Sequence, residues 1–355
     1  MKVNFFKQLA TLAIVSGIII FQGCNSDTET VKVGASGFFI VNEGNFGNGD
    51  TEISFYDRKT DQVSNNLFAS KNGRPLGDQS QSMTVFENKG FIVVQNSSKV
   101  EVVNLDDLKA FASITGVSSP RYFIGISSNK GYVSDWGPDG VTGTVKVVNL
   151  STYEVTKTIP TGKGPNRMLK INNLVYVANS GGFDRDNTVK VIDSNTDAII
   201  ATITVGDNPN SLERDKDGNI WVASGGYIDY VNNANSTKGS ISKITTSNTE
   251  SLRLNVDKVI FNGPANLGIS NDGTTLYYTY DNAIFSLAHT ATTIPTTAFK
   301  SKSYYGLAVD PFNSNIIGCN AANFSSAGTI DVYDSKGTLL SSYGVGIAPN
   351  GCAFK

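Results

Sequence analysis

The stretch GKGPNRMLKINNLVYVANSGGFDRDNTVKVIDSNTDAIIATITVGDNPN, residues 162–210, spans one complete repeat of the chain. It begins and ends with related turn phrases, GPN at 164–166 and NPN at 208–210. An apolar stretch follows the first phrase, and three further runs follow it: LVYVAN, TVKVID and AIIATITVG. Short runs rich in β-branched and aromatic residues, bounded by Gly, Asn, Asp and Ser, are typical of β-strands. The stretch therefore predicts four short strands between two copies of one turn.

The turn phrase recurs along the chain at Pro120, Pro165, Pro209, Pro264 and Pro349. These prolines are 45, 44, 55 and 85 residues apart, and the last interval is close to two periods. Degenerate copies around Gln79 and Tyr304 complete the series. Four strands in a period of about 40–45 residues are the signature of a β-propeller. The repeats therefore predict an all-β chain that forms a seven-bladed propeller with four-stranded blades.

The end of the chain predicts how the propeller closes. The first blade opens with SGFFIVNEGN, which has the pattern of a second strand, so its innermost strand is missing. The C-terminal stretch IAPNGCAFK, residues 347–355, supplies that strand. A shared blade removes the exposed strand edges that an open array would leave. We therefore expect one closed domain over residues 37–355.

The first residues have the pattern of an export signal. Lys2 and Lys7 precede an apolar run that ends at Phe21, and Gly23 and Cys24 follow. FQGC resembles a bacterial lipoprotein box, which predicts a signal peptide over residues 1–23, lipidation of Cys24 and a linker over 24–36. The acidic stretch CNSDTET resembles a signal for display on the outer surface of the outer membrane. The alternative is an ordinary secretory signal with an incidental cysteine.

Charge and cysteine content limit the classes of function. The chain has 29 Lys and Arg against 31 Asp and Glu, a net charge of -2, which disfavours nucleic acid as the main partner. Besides Cys24 the chain has Cys319 and Cys352, which an exported protein can pair or keep as two small buried thiols. The only histidine, His289, forms no metal cluster or Ser–His arrangement, and the pattern predicts no metal site and no catalytic residues.

Long loops point to a binding surface on one face of the propeller. In a four-stranded blade, the loop between the second and third strands lies on the same face as the turn that enters the innermost strand, and loops on a rigid scaffold commonly carry binding residues. Several of these loops are long and carry an aromatic residue beside Asn, Asp or Gly, a combination that suits a broad, partly polar ligand. The candidate ligand-binding residues are Asn45, Phe46, Arg121, Asp135, Trp136, Arg167, Asn179, Phe183, Tyr227, Tyr280 and Phe324. The alternative is that each aromatic ring packs on its own loop.

Two arginines follow the proline phrases. Arg121 and Arg167 lie near the start of innermost strands, where they would face the channel mouth and meet a phosphate, carboxylate or amide. The alternative for each is a salt bridge to a loop acid such as Asp135 or Asp184. The run GGFDRDN also spaces acidic side chains as a calcium ligand set would, but it lacks the complete calcium-loop pattern.

The repeats resemble the YncE-like propellers of bacterial envelopes, and residues 39–57 with 77–105 resemble the opening of the BtuG-type surface lipoproteins of Bacteroidetes. This resemblance implies a lipid-anchored protein that captures cobalamin at the cell surface and passes it to a TonB-dependent outer-membrane transporter. It implies cobalamin as a bound ligand rather than a catalytic cofactor. Two other hypotheses remain: a binding or assembly module for another chelate, glycan or protein, and a propeller hydrolase or lyase.

Overall fold

Alternating apolar runs and polar turns form 27 β-strands in residues 36–259 and 263–355, the part of the chain that the computed structural model describes. The predicted signal peptide, the lipidation site Cys24 and the linker up to residue 35 lie outside the described residues. The described part also contains one α-helix, α1 (Leu67–Asn72), and two 3-10 helices, Gln95–Ser97 and Asn233–Asn235. None of the helices in this part has the length and apolar character needed to cross a bilayer.

The strands of the described residues form seven antiparallel sheets, here called blades 1 to 7. From the innermost strand outward, blade 1 contains β27 (Pro349–Phe354), β1 (Gly37–Asn42), β2 (Glu52–Asp57) and β3 (Gln62–Ser64). Blade 2 contains β4 (Ser80–Phe86), β5 (Lys89–Val94), β6 (Lys99–Asn104) and β7 (Ala110–Ile114). Blade 3 contains β8 (Pro120–Ser127), β9 (Lys130–Asp135), β10 (Thr142–Asn149) and β11 (Glu154–Lys163).

The remaining blades repeat the same order. Blade 4 contains β12 (Pro165–Ile171), β13 (Leu174–Asn179), β14 (Thr188–Asp193) and β15 (Ala198–Thr204). Blade 5 contains β16 (Pro209–Arg214), β17 (Ile220–Ser224), β18 (Ser240–Ile244) and β19 (Glu250–Asn255). Blade 6 contains β20 (Ala265–Ile269), β21 (Thr275–Tyr280) and β22 (Ala283–Ala288). Blade 7 contains β23 (Gly306–Val309), β24 (Ile316–Asn320), β25 (Ala327–Tyr333) and β26 (Leu339–Ile347).

The predicted seven-bladed propeller is therefore confirmed. One blade departs from the four-strand pattern, because the outer strand of blade 6 is reduced to an isolated bridge between Ile284 and Lys300. The chain at this place, TTIPTTAF over residues 292–299, contains a proline and no apolar alternation. Proline cannot donate to a strand ladder, so pairing stops after the bridge.

The C-terminal strand closes the ring as predicted. β27 pairs antiparallel with β1, and Phe38, Phe39 and Ile40 lie opposite Phe354, Ala353 and Cys352. All six residues of β1 are buried, since the strand lies between β27 and β2. The first blade is thus built from both ends of the described chain, and this pairing holds the ring shut.

The apolar core lies between adjacent blades. Phe91 of blade 2 and Phe123 of blade 3 stack with their ring centroids 3.8 Å apart, within one cluster of buried residues. A second cluster joins Val189 and Ile203 of blade 4 to Leu212 and Val222 of blade 5. Each blade therefore buries its apolar faces against its neighbours, as sheets with two apolar faces require.

A closed series of polar contacts, here called the girdle, joins every blade to the next around the channel mouth. Most of its side chains lie at or next to the start of the innermost strands, and Glu43 lies in the loop that follows β1. Its hydrogen bonds are Asn350 Nδ2 to Gln81 O (3.0 Å), Ser82 Oγ to Arg121 O (2.7 Å), Arg121 Nε to Asn166 Oδ1 (3.3 Å), Asn166 Nδ2 to Asn210 O (3.3 Å), Asn210 Nδ2 to Pro264 O (2.9 Å), Asn266 Nδ2 to Tyr305 O (3.1 Å) and Tyr305 Oη to Glu43 Oε2 (3.0 Å).

The girdle explains the asparagine in the repeated turn phrase. Proline leaves the first residue of the innermost strand without an amide donor. At the same level, a main-chain carbonyl of the next blade has no partner within its own sheet. A short amide side chain at the following position reaches that carbonyl, as Asn166, Asn210 and Asn350 do. The recurring PN pair therefore marks a contact between blades as well as a turn.

We expect a charge in the closing strand to destabilise the ring. Ala353 is buried opposite Phe39, so Ala353→Asp would bury an unpaired carboxylate and lower the free energy of unfolding by about 3–5 kcal/mol. The control Leu340→Asp puts the same charge on the exposed outer strand β26 and should change it by less than about 0.5 kcal/mol. Urea unfolding followed by tryptophan fluorescence measures both, and equal effects would show that the ring does not depend on β27.

We expect removal of one girdle amide to lower the free energy of unfolding by less than the charge in the closing strand does, but by more than removal of a surface amide does. In Asn210→Ala the buried Pro264 carbonyl loses its donor, and we expect a loss of about 1–3 kcal/mol in the free energy of unfolding. Asn195→Ala, at an exposed turn, is the matched control and should stay within about 0.5 kcal/mol of the unmodified protein. Indistinguishable urea midpoints for the two variants would contradict the role of the girdle.

Candidate ligand-binding rim

The loops between second and third strands lie beside the turns that enter the innermost strands, and together they are here called the rim. Main-chain contacts join neighbouring loops of this surface. Gly47 N donates to the Asp78 carboxylate (3.0 Å), Trp136 N to Ser119 O (3.0 Å) and Phe183 N to Gly140 O (3.1 Å). In blades 1 to 4 these hydrogen bonds hold loops of the rim against neighbouring segments.

A cavity of about 200 Å³ opens at the centre of the rim and is here called the mouth. Its walls are formed mainly by amide, charged and aromatic side chains at the starts of the innermost strands. The lining residues are Glu43, Gln81, Arg121, Tyr122, Asn166, Arg167, Asn210, Ala265, Asn266, Tyr305 and Asn350. The predicted residues Arg121 and Arg167 thus both lie at the channel mouth.

Arg121 anchors one side of the mouth. Its guanidinium carbon lies 4.1 Å from the centroid of the Trp136 ring, and its nitrogens donate to the Asn166 and Gln95 side-chain oxygens. Burial lowers the pKa of Arg121. The other edge of Trp136 meets Phe183 in a T-shaped contact with a centroid distance of 5.7 Å. Three side chains from blades 3 and 4 thus form a cation–aromatic platform.

Glu43, on the loop after β1 of blade 1, also lines the mouth, and Arg121 attracts its carboxylate. Its carboxylate accepts hydrogen bonds from Asn350 Nδ2 (2.7 Å) and from the Tyr305 hydroxyl (3.0 Å). Burial raises the pKa of the Glu43 carboxyl, although these two hydrogen bonds oppose the effect. Tyr305 in turn meets Phe324 in a T-shaped contact at 4.8 Å. A second aromatic pair therefore lies next to a carboxylate at the mouth.

Below the mouth, the central channel contains a cavity of about 430 Å³. Arg167 lines both cavities, with its guanidinium carbon 5.3 Å from the centroid of the Tyr122 ring. Glu213 on β16 lines the channel, and burial raises its pKa to about 7 although Arg167 opposes the shift. The channel therefore carries one guanidinium and one carboxyl group that ionises near neutral pH.

The aromatic residues predicted on the loops have different exposures. Phe46 and Phe183 are 78% and 80% exposed, and Phe324 is 49% exposed. Tyr227 is half-buried beneath the Arg185 guanidinium, 5.3 Å from its ring centroid. Tyr280 is also half-buried, and its hydroxyl accepts from Asp257 N at 3.2 Å. The first three present a face to solvent, whereas the two tyrosines support their loops.

Three predicted polar residues hold the rim together. Asp135 is 1% exposed and accepts from the main-chain N–H groups of Ser118 and Ser119. Asn179 is 0% exposed, and its amide donates to Thr161 O and Thr188 Oγ1. Asn45 bonds to the Asp50 carboxylate. Asp135 and Asn179 are almost completely buried and support the backbone around them, and ligand contact by these two side chains stays a prediction.

The alternative salt bridges of the two arginines are absent from the described residues. Asp184 pairs with Lys163 at 2.5 Å, and Asp135 receives main-chain donors with Lys146 4.0 Å away. The carboxylate of Asp186 accepts from Lys163 N and from Thr188. The side chains suggested for calcium are therefore engaged by protein donors.

The remaining residues considered from sequence lie elsewhere. The His289 ring is buried, with Nδ1 3.0 Å from Thr274 O and Nε2 3.3 Å from Asp217. Cys319 and Cys352 are free thiols that pack in one apolar cluster. Within the described chain, no group of three or more His, Cys, Asp or Glu side chains is arranged to hold a metal ion.

Sequence reasoning missed Glu43, Tyr305, Glu213 and the asparagines of the girdle. A signal for three of the four asparagines was present, because Asn166, Asn210 and Asn350 directly follow the proline of the turn phrase, whereas Asn266 lies two residues after its proline. Glu43 and Glu213 carry no such signal: one lies in a loop and the other in a strand, like many surface acids. Only the closed ring brings them to the channel axis.

Comparisons with known proteins agree on the fold. A functionally unknown protein from Desulfotomaculum acetoxidans has a TM-score of 0.67 and 14% identity, covering 90% of this chain and 99% of that chain. A quinonprotein alcohol dehydrogenase-like protein from Bacteroides thetaiotaomicron has a TM-score of 0.65 and 16% identity, covering 90% and 78%. A putative 6-phosphogluconolactonase from Bacteroides uniformis has a TM-score of 0.65 and 11% identity, covering 90% and 100%. At these identities the likeness concerns the fold alone.

The family comparison covers nearly the whole propeller. No curated protein has a significant match to the chain. The family described as Domain of unknown function (DUF5074) matches residues 36–347, which extend from the residue before β1 to the end of β26. The match thus includes all seven blades except the closing strand. The chain belongs to the DUF5074 family, and its propeller fold is that of a seven-bladed ring closed by the C-terminal strand.

Proposed function

We propose that this protein is a binding protein that captures a large, partly planar ligand on the rim. One observation carries the proposal: exposed aromatic side chains on separate loops surround a mouth that contains Arg121 and Glu43. Flat apolar faces supply contact area, and a guanidinium and a carboxylate at the mouth orient a polar ligand. Binding of this kind requires no proton transfer.

Within this class we propose cobalamin as the ligand. The resemblance of residues 39–57 and 77–105 to BtuG-type lipoproteins supports it, and the rim chemistry is compatible with it. Cobalamin combines a broad corrin ring with amide side chains and a nucleotide tail. The exposed rings of Phe46 and Phe183 suit the corrin face, while amide and charged groups at the mouth suit its polar arms. Another chelate, a glycan or a protein remains as an outcome of the tests below.

We propose further that Cys24 carries a lipid that anchors the protein in the outer membrane, at the cell surface, beside a TonB-dependent transporter. The basic start, the apolar run and the FQGC box support the anchor, and the acidic stretch after Cys24 supports surface display. A membrane anchor beside a transporter would raise the local concentration of captured ligand at its entrance.

Calorimetric titration of the purified protein with cyanocobalamin tests the ligand. We expect saturable binding at micromolar protein, with no change in the absorption spectrum that would mark turnover. If no heat of binding were measured at this concentration, cobalamin would be excluded as the ligand. Appearance of a product in a substrate screen would favour an enzyme instead.

We expect the exposed aromatic side chains of the rim to contribute strongly to the affinity for cyanocobalamin. Phe46→Ala and Phe183→Ala should each weaken cyanocobalamin binding by roughly tenfold or more, because each removes an exposed ring from the contact surface. The matched control is Phe312→Ala, which removes a ring that is 62% exposed from the loop between β23 and β24, on the opposite face. If Phe312→Ala weakened binding and the rim variants did not, the site would lie on that face.

The lipid anchor is tested separately. In the native host, Cys24→Ser should abolish incorporation of labelled palmitate and release the protein from the membrane fraction. Cys319→Ser, at a buried position of the propeller, is the control and should keep the label. Absence of label on the unmodified protein would indicate an ordinary secretory signal in place of the lipoprotein box, and continued labelling of Cys24→Ser would place the lipid on another residue.

A further inference from the structure

The channel below the mouth contains two opposite charges that do not neutralise each other by contact. Arg167 on β12 and Glu213 on β16 both line the cavity of about 430 Å³. Arg167 lies over the Tyr122 ring. Among the described residues Glu213 has no hydrogen-bond donor, and Arg167 acts on it only through longer-range attraction. Each charged group therefore faces the cavity without a direct counter-ion.

The rest of the cavity wall is mostly apolar. Six of its larger aliphatic side chains come from five different innermost strands: Ile124, Leu169, Leu212, Leu267, Ile269 and Leu307. A volume of 430 Å³ falls within the range of small-molecule sites, which combine apolar walls with a few polar groups that fix orientation. The channel has this composition.

Unpaired charges in such surroundings are costly, because the apolar wall replaces water without supplying hydrogen bonds. A ligand that brings an ammonium to Glu213 and a carboxylate to Arg167 removes both costs at once. Its apolar body would cover the aliphatic wall. We propose that the channel binds a small zwitterion with an apolar side chain, the chemical class of the hydrophobic amino acids.

The route to this site starts at the rim. Gln81, Tyr122, Arg167 and Asn350 line both the mouth and the channel, so the two cavities share one boundary. A small molecule would enter through the mouth and lie beneath whatever the rim holds. The proposal does not rest on cobalamin, since neither Glu213 nor the aliphatic wall belongs to the rim.

The ionisation of Glu213 gives the site a pH signature. Four ionisable groups of the described chain line the channel: Tyr122, Arg167, Glu213 and Cys352. The hydrogen bond with the Cys319 thiol and burial raise the pKa of Cys352 well above its ordinary value, so this thiol stays protonated at neutral pH. Burial raises the pKa of Glu213 to about 7, so its carboxylate is populated at pH 8 and lost at pH 6. The affinity for the ligand should therefore increase with the ionised fraction of Glu213.

Calorimetric titration with L-leucine at pH 8 and pH 6 tests the proposal. We expect binding at pH 8 and about tenfold weaker binding at pH 6, because a group of pKa 7 is about 90% ionised at the first pH and about 10% at the second. N-acetyl-L-leucine lacks the ammonium and 3-methylbutylamine lacks the carboxylate, and both should bind at least tenfold more weakly. Absence of leucine binding at pH 8, or equal binding of all three compounds, overturns the proposal.

Glu213→Gln keeps the shape of the side chain and removes its charge. The variant should lose at least tenfold in leucine affinity at pH 8 and bind with the same low affinity at pH 6. The matched control Glu154→Gln, exposed on β11, should keep the affinity and pH profile of the unmodified protein. Unchanged pH dependence in Glu213→Gln would overturn the assignment.

A thermal melt separates misfolding from loss of the site. Folding raises the pKa of the Glu213 carboxyl, so ionisation of this group favours the unfolded state. The free energy of unfolding therefore decreases as the pH increases from the pKa of the carboxyl in the unfolded chain toward 7. Glu213→Gln removes this loss, so the variant should melt at a higher temperature than the unmodified protein at pH 8 and at a similar temperature at pH 5. A lower melting temperature at both values would contradict the channel environment of Glu213. Cyanocobalamin binding by the same variant reports on the rim independently.

Discussion

The pairing of β27 with β1 is the contact on which the other features depend. A propeller blade buries both faces against its neighbours, so an open ring would leave two apolar sheet faces and two strand edges exposed. Placing one innermost strand at the opposite end of the chain makes the closing step an ordinary antiparallel ladder. Because the strand comes from the C-terminus, closure also fixes the positions of Asn350 and Glu43 at the mouth.

The girdle shows how closure and the candidate site are connected. The same side chains that bridge successive blades also form the wall of the mouth. Most of their amide hydrogens are used for contacts between blades, which leaves the exposed rings, Arg121 and Glu43 as the groups that face a ligand. Rigidity and recognition therefore lie in one layer, and a ligand on the rim would meet a surface that is already ordered.

Deeper in the channel the chemistry changes. Apolar side chains replace the amides, and the two charges of Arg167 and Glu213 stand in different blades. Burial acts on the Glu213 carboxyl more strongly than Arg167 does, which brings its pKa close to neutral. The propeller thus offers two chemically distinct environments along one axis, a polar aromatic rim above and an apolar channel with opposite charges below.

The number of blades, the closing strand and the loops of the rim can be predicted from the amino-acid sequence alone. These features depend on local signals, namely strand composition, turn phrases and a steady period, which recur in blade after blade. The same signals place Arg121, Arg167 and the rings of Phe46 and Phe183 on the rim. The folded ring was needed to show that Asp135 and Asn179 are buried supports and that Glu43 and Glu213 line the mouth and the channel. Burial and counter-charges come from blades far apart in sequence, and no local pattern encodes them.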